Sequence, residues 1–199
     1  MRVGVLKSVN GLPVTCGLEV GAVPVDGPVL TGEPAWLNGQ AREGHLDLTA
    51  VSAAEVAASP TSYQVVPGFC VAARGPVQSV RLFSRLPLRD LPGREVAITR
   101  VSATSRVLVQ LLVPGIRPVD LPAEPILSEQ VPAVLLIGDR ALGDVDGAAH
   151  VADLGALWLA ATGLPMVFAL WVATRSRHLA DGSLLLQRSW AWGQASRAR

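Results

Sequence analysis

The sequence predicts an α/β protein of two lobes, with mostly parallel sheets and a central cleft, on three observations. A short apolar strand followed by a loop and a helix occurs twice, from Arg2–Leu6 into a helix near Pro13 and from Glu95–Thr99 into Arg106–Val113. Such alternation builds parallel sheets. Ala133–Ile137 is an unbroken apolar run that ends in Gly138-Asp139, the pattern of a strand covered on both faces. Finally, Arg85 to Arg94 is charged and punctuated by Pro87, Pro92 and Gly93, and a polar Pro/Gly stretch with few core contacts suits a lobe boundary. The lobes are expected at 1–83 together with 172–199, and at 84–171.

The chain has 199 residues, 50% of them hydrophobic, enough for a sizeable core. Its 17 basic residues face 16 acidic ones, so no field draws in nucleic acid, and the few aromatics are not interleaved with basic clusters. No nucleic-acid partner is expected. Met1 to Lys7 reaches a charge before a signal-peptide core could form, and Cys16 and Cys70 make no Cys-x-x-Cys pair; buried thiols in a reducing cytoplasm are expected. His45, His150 and His178 share no ligand spacing, so no metal is expected. Leu154 to Thr174 carries no charge and has about the length of a membrane span. The Gly163-Leu164-Pro165 break in its middle predicts a helix followed by a buried strand instead, and no membrane partner.

Taken in order, Arg2–Leu6 is the first strand, and Lys7 to Pro13 is its closing loop. Asn10 there is either a turn residue capping the following helix or a ligand amide, since ligands in α/β sheets sit at the carboxyl ends of strands. Residues 21–35 read as an irregular strand and turn. Ala35–Glu43 is a short helix and His45–Ser52 a strand, with Ser52 opening the helix at Ala53–Ala58. Its hydroxyl suits a cap, and the same helix start suits a carboxylate. Tyr63–Val66 is another strand. Gly75-Pro76 then turns the chain into a strand carrying Val77, Val80, Leu82 and Phe83, expected to lead from one lobe to the other with Ser79 facing the cleft.

In the second lobe, Ser102, Thr104 and Ser105 place three hydroxyls at a helix start, the strongest local anion-binding signal in the chain. Pro114 to Gln130, with prolines at 114, 118, 122 and 125, is expected to be an irregular excursion. Asp139 follows the central strand as a cap or a cleft residue. Asp153–Thr162 is a helix bearing Trp158, and Met166–Val172 is the last strand. The basic end carries Trp190 and Trp192 on a short amphipathic fragment that either packs on the first lobe or leaves an apolar patch.

These residues carry a family resemblance. Asn10-Gly11-Leu12-Pro13 with Gly17-Leu18-Glu19, Leu46-Asp47-Leu48 with Ser52 and Glu55, Gly75-Pro76-Val77-Gln78-Ser79-Val80 with Leu82-Phe83-Ser84, and Ser102-Ala103-Thr104-Ser105 occur in one order. Leu135-Leu136-Ile137-Gly138-Asp139, Asp153-Leu154-Gly155 with Trp158, and Thr162-Gly163-Leu164-Pro165 to Trp171 complete the set. Together they resemble the chorismate dehydratases of the futalosine route to menaquinone. The resemblance implies a fold similar to type II periplasmic binding proteins, used as a cytoplasmic enzyme that closes over a small dianion.

It further implies a hydro-lyase that removes water from chorismate to give 3-[(1-carboxyvinyl)oxy]benzoate without a cofactor. A substrate carboxylate takes the proton, while the protein orients the reacting groups. By that resemblance Asn10 positions the reacting end and Ser79 hydrogen-bonds it. Ser52, Ser102, Thr104 and Ser105 bind carboxylates, with Asp139 and then Arg74 as lesser candidates. The family usually carries Tyr before the Leu-Asn of the first loop, where this chain has Ser8-Val9-Asn10, and it continues for several helices past the Trp192-Gly193 region. A shortened chain of reduced activity is therefore one expectation. The oligomeric state is open, a dimer included. Other readings are a cytoplasmic binder of small carboxylates with the same fold, the related enzyme that forms dihydroxynaphthoate, and an inactive lobe pairing with another chain through its tryptophans. The second of these calls for a cleft histidine, a role that neither His45 nor His150 matches.

Overall fold

The computed structural model describes residues 1–122, 127–174 and 178–196. Strands and helices alternate along them, as expected of an α/β chain. Two compact units result, residues 1–71 with 168–199 and residues 72–167.

In the first unit, β1 (Val3–Leu6) is buried along its whole length and runs parallel to β2 (Val29–Gly32) and β3 (Leu48–Ser52). Burial on both faces explains why this strand reads as a continuous apolar run rather than an alternating one. β10 (Met166–Ala173) pairs antiparallel with β3, and the sheet order is β2-β1-β3-β10-β4, where β4 is Gln64–Ala73. Around it lie α1 (Leu12–Glu19), α2 (Pro34–Arg42), α3 (Ala53–Ala58) and α6 (Leu179–Ser196). Pro13 and Pro34 stand in the first turns of α1 and α2, where a missing N–H leaves no helical bond unmade. Val3, Val5, Leu37, Leu46, Leu48 and Leu186 are fully buried in the core, each contributing about 1.5–3 kcal/mol of transfer free energy.

The terminal helix is longer than the sequence suggested, 18 residues, and it crosses α1 at backbone distance. A Cβ on Gly193 would lie 2.7 Å from the Pro13 carbonyl oxygen, and one on Gly17 would lie 3.0 Å from Ser189 Oγ. The two tryptophans divide between the expected fates. Trp192 packs against the first unit's core, and Trp190 is exposed.

The second unit is a sheet of order β7-β6-β8-β5-β9. Here β5 is Val80–Ser84, β6 Glu95–Ile98, β7 Arg117–Asp120, β8 Ala133–Ile137 and β9 His150–Asp153. β6 runs parallel to β7 and β8, whereas β5 is antiparallel to β8 and β9. The helices are α4 (Ala103–Leu112) and α5 (Leu154–Thr162). β8 lies at the centre of the sheet, in agreement with its apolar run.

Several expectations are corrected. The strand that passes between units is β4, not β5; the chain leaves the first unit at residue 71, because every ladder bond of β5 goes to β8 or β9 of the second. The boundary expected at 83/84 thus falls inside the second unit, while the return at 167/168 lies close to the expected one. The proline-rich excursion contains β7, which tolerates Pro118 because it is the edge strand. The uncharged stretch from Leu154 is, as expected, a helix and then a strand, α5 followed by β10, separated at Gly163 with φ 73°. No described helix is long and apolar enough to cross a membrane. Cys16 is half-buried and Cys70 exposed, so the buried thiols expected from the sequence are not found; Cys70 projects from β4.

Candidate functional site

Each unit gathers its candidate residues at the carboxyl ends of its parallel strands, where the loops of α/β sheets hold ligands. In the first unit, β1 ends at Leu6 and feeds the Asn10 loop, and β3 ends at Ser52. In the second, β6 ends at Ile98 and its loop leads to Ser102, and β8 ends before Gly138-Asp139. β5 runs the opposite way, so Ser79, one residue before Val80, lies at the same sheet end through the Val80–Ile137 register.

Asn10 is exposed and does not cap α1. The cap position is Gly11, whose N–H bonds the Ser8 carbonyl at 3.1 Å and whose own carbonyl accepts from Val14 and Thr15. The amide of Asn10 has no partner among the described residues, so of the two readings of this residue the helix cap falls away.

Ser52 is buried and held. Its Oγ accepts from Asn38 Nδ2 at 2.5 Å, and its N–H donates to Asn38 Oδ1 at 3.0 Å. Its side chain does not cap α3; the bond from Asn38 replaces that role and ties α2 to the end of β3. The hydroxyl proton is left over by this arrangement. Beyond it, Glu55 of α3 accepts both Nε and Nη2 of Arg42, at 3.0 and 2.6 Å, and the hydroxyl of Tyr63 at 2.9 Å. The Arg42 guanidinium holds the Glu55 carboxyl below its ordinary range, and burial beside that carboxylate pushes the Tyr63 phenol up to about 12. Sequence reasoning did not find Asn38, whose only signal is a polar residue amid the buried positions of α2.

Ser102 is the N-cap of α4: its Oγ accepts from the Ser105 N–H at 3.2 Å and shares a 2.9 Å bond with Ser105 Oγ. The helix therefore begins three residues earlier than the sequence suggested, and Thr104 and Ser105 lie within its first turn, both buried. Of the two serine hydroxyl protons one is used between them and one remains. Asp139 opens a 3-10 turn over Gly138–Ala141, is exposed and caps nothing. Arg74 is exposed.

Ser79 follows Gln78, the one described residue other than glycine at positive φ. Its N–H donates to the Val77 carbonyl at 2.7 Å, and its own carbonyl accepts from the Gly138 N–H at 2.8 Å. Gln78 between them has φ 62°, so the bond from Ser79 back to Val77 closes a three-residue turn of the rare, strained hand. A left-handed non-glycine residue costs about 1–3 kcal/mol. The carboxylate of Asp153 offsets this, accepting Val77 N–H at 3.0 Å and Gln78 N–H at 2.6 Å while also capping α5 through Gly155 and Ala156 at 2.9 and 3.1 Å. Each bond to a charged acceptor contributes about 1.5–3 kcal/mol. With its backbone bonded on both sides, Ser79 keeps a half-buried hydroxyl that has no partner among the described residues.

A recess of about 520 Å³ lined by Gly93, Arg94, Glu95, Arg117, Glu129 and Gln130 lies at the amino ends of β6 and β7. That is the end of the sheet opposite Ser102, and it carries none of the candidate residues. Among the described residues no three His, Cys, Asp or Glu side chains converge to hold a metal ion.

The full length of the chain, residues 1–199, matches the family model described as menaquinone biosynthesis. It is 36% identical to the chorismate dehydratase of Thermus thermophilus over 168 residues, an overlap of 74% of this chain and 61% of that enzyme. The chain thus spans under two thirds of the length of that enzyme. Among solved structures, protein AF1704 of Archaeoglobus fulgidus superposes with a TM-score of 0.74 at 19% identity, over 98% of this chain and 77% of its own. The periplasmic aliphatic sulphonate binding protein SsuA of Escherichia coli superposes with a TM-score of 0.55 at 16% identity, over 100% and 75%. The fold is that of the type II periplasmic binding proteins, and the chain belongs to the menaquinone-biosynthesis family.

Proposed function

We propose that the protein is a chorismate dehydratase, a carbon–oxygen lyase that acts in the cytoplasm on free chorismate. The observation that carries the reading is the Ser79 hydroxyl, without a partner among the described residues on a residue whose own N–H and C=O are both bonded, in a chain 36% identical to an enzyme of that name.

The reaction breaks the bond from a ring carbon to its hydroxyl and removes the proton of the neighbouring ring carbon, releasing one water and leaving an aromatic ring. It is redox-neutral, so no electron carrier is needed, and aromatisation supplies the driving force. The protein has to fix the geometry and favour departure of the hydroxyl as water over competing rearrangements. In the second unit, Ser79 donates to the reacting end of the substrate, and the hydroxyl proton left over by the Ser102–Ser105 pair is offered to a substrate carboxylate at the start of α4. Thr104, buried in the same turn, supports that helix start. In the first unit, the free amide of Asn10 orients the leaving group, and Ser52 offers the proton that Asn38 leaves unused. Asp139 carries the sign of the substrate's own carboxylates and suits a substrate hydroxyl instead. A substrate carboxylate takes the ring proton and passes it to the departing hydroxyl, which leaves as water, since Asp153 of the second unit and Glu55 of the first are already committed to backbone N–H groups and to Arg42.

Incubation with chorismate and chromatography of the products tests the reading. Loss of chorismate with equimolar 3-[(1-carboxyvinyl)oxy]benzoate is the expected result. A rise in melting temperature with chorismate left intact would identify a binder instead.

A further inference from the structure

We propose that Asp153 is a positioning residue for Ser79: by accepting the N–H groups of Val77 and Gln78, its carboxylate holds Gln78 at positive φ and so aims the Ser79 hydroxyl. The proposal rests on the reading of Ser79 as the group that bonds the reacting end of chorismate.

Asp153 does more than a helix cap requires. Capping α5 needs only Gly155 and Ala156, which bond Oδ1. The same carboxylate reaches 75 residues back to the amide of Gln78 through Oδ2, and to Val77 through Oδ1. All four bonds lie within the second unit. The approach is possible because Gly155 has no side chain; a Cβ there would run into the Gly75 carbonyl oxygen and stand 3.2 Å from Val77 N.

What the carboxylate holds is unusual. Every other described residue at positive φ is glycine, including Gly75 and Gly138 on either side of the Ser79 turn in space. Gln78 alone takes this conformation against the preference of its side chain, and strain of that kind persists where the surroundings impose it. The constraint passes directly to the next residue: Ser79 N–H closes the turn on Val77, and Ser79 C=O is fixed by Gly138. Its Cα–Cβ direction is thereby set, while the hydroxyl stays available. A cap with no further role would leave the preceding loop free to relax to negative φ.

Two variants separate positioning from folding. Asp153→Asn retains an oxygen for Val77, Gly155 and Ala156 but sets an amide N–H₂ against the N–H of Gln78. Asp153→Ser keeps a cap for α5 and withdraws from both loop amides. In each, kcat with chorismate is expected to fall about tenfold or more while KM moves by less than about threefold, as for a misplaced group rather than lost binding. Adding Ser79→Ala to Asp153→Asn should cost little beyond Ser79→Ala alone, because both changes remove the same interaction. Hydrogen exchange should accelerate at the amides of Gln78 and Ser79 and stay slow at Leu159 and Ala160 within α5. Wild-type kcat in both variants, or losses that multiply with Ser79→Ala, would overturn the proposal. If the wild-type protein leaves chorismate unchanged, the reading of the reaction fails on its own. Faster exchange at Gln78 and Ser79 in Asp153→Asn would still support the hold on Ser79, and unchanged exchange would overturn it.

Discussion

Ser52 and Ser79 occupy matching places, each at the end of its own unit's sheet where the parallel strands finish, yet they are held in opposite ways. Ser52 is gripped by its side chain, through Asn38, and is 4% exposed. Ser79 is gripped by its backbone, through Val77, Gly138 and, one residue away, Asp153. A hydroxyl gripped by its oxygen stabilises the fold and has one proton to spare. One carried on a bonded backbone is rigid and chemically unspent. The position of a serine at a strand end thus says less about its role than which of its atoms the fold consumes.

The largest effect is expected from Ser79→Ala, which should lower kcat/KM for chorismate about 100-fold, the loss typical of one preorganised donor, with an unchanged urea midpoint. Steady-state assay beside urea unfolding checks both halves. Asn10→Ala should follow, with a loss of about tenfold and again no change in unfolding, because its amide holds nothing among the described residues. Ser52→Ala should show the converse. It strands Asn38 Nδ2 in a buried place, at a cost of about 1–3 kcal/mol visible in urea unfolding, with a smaller effect on rate. If Ser52→Ala lost rate at full stability, the distinction between the two serines would collapse.

Acid should reveal the same asymmetry between the units at a smaller scale. Asp47, bonded by the side chain and backbone of Arg2, titrates at about 2, below its ordinary 3.8, and Glu55 is likewise lowered by Arg42. A carboxyl with a depressed folded pKa contributes stability that is present above its unfolded pKa and lost as pH falls through the folded value. Both groups are buried in the first unit. Its amides should therefore lose exchange protection between about pH 4 and pH 2, ahead of the second unit, whose lowered carboxyl Asp120 is exposed beside Arg100. At the alkaline end the sign reverses. Tyr63, raised to about 12 from 10, contributes stability that fades as pH climbs through that interval. Simultaneous loss of protection in both units on acidification would contradict the assignment.

Much of the fold was legible because it is written in local period. The buried runs Val3–Leu6 and Ala133–Ile137, the proline opening α1, and the break at Gly163 each act within a few residues. The misses share one cause, dependence on neighbours distant in sequence. β7 carries a proline and becomes a strand because β6 offers it an edge. His150–Asp153 has no strand signature of its own and is one only through β5. The candidate positions at strand ends were legible from strand-to-helix order, but their occupancy was not: that Asn38 takes Ser52, and that Asp153 reaches Gln78, leaves no trace in either segment. Asp153 read as an ordinary helix start because half of its bonds are those of one.

The bond from Asp153 to Gln78 also orders the birth of the molecule. The Ser79 turn precedes its carboxylate by 75 residues, so a nascent chain exposes residues 74–79 long before the acceptor that bends them exists. Closing a loop of that size is paid in chain entropy and slows formation of the contact. The turn is therefore expected to be among the last features of the second unit to acquire its final shape, after β5 has zipped onto β8. Catalytic competence would then lag behind secondary structure during refolding, and a protein able to show a full far-ultraviolet spectrum would still be waiting for its serine.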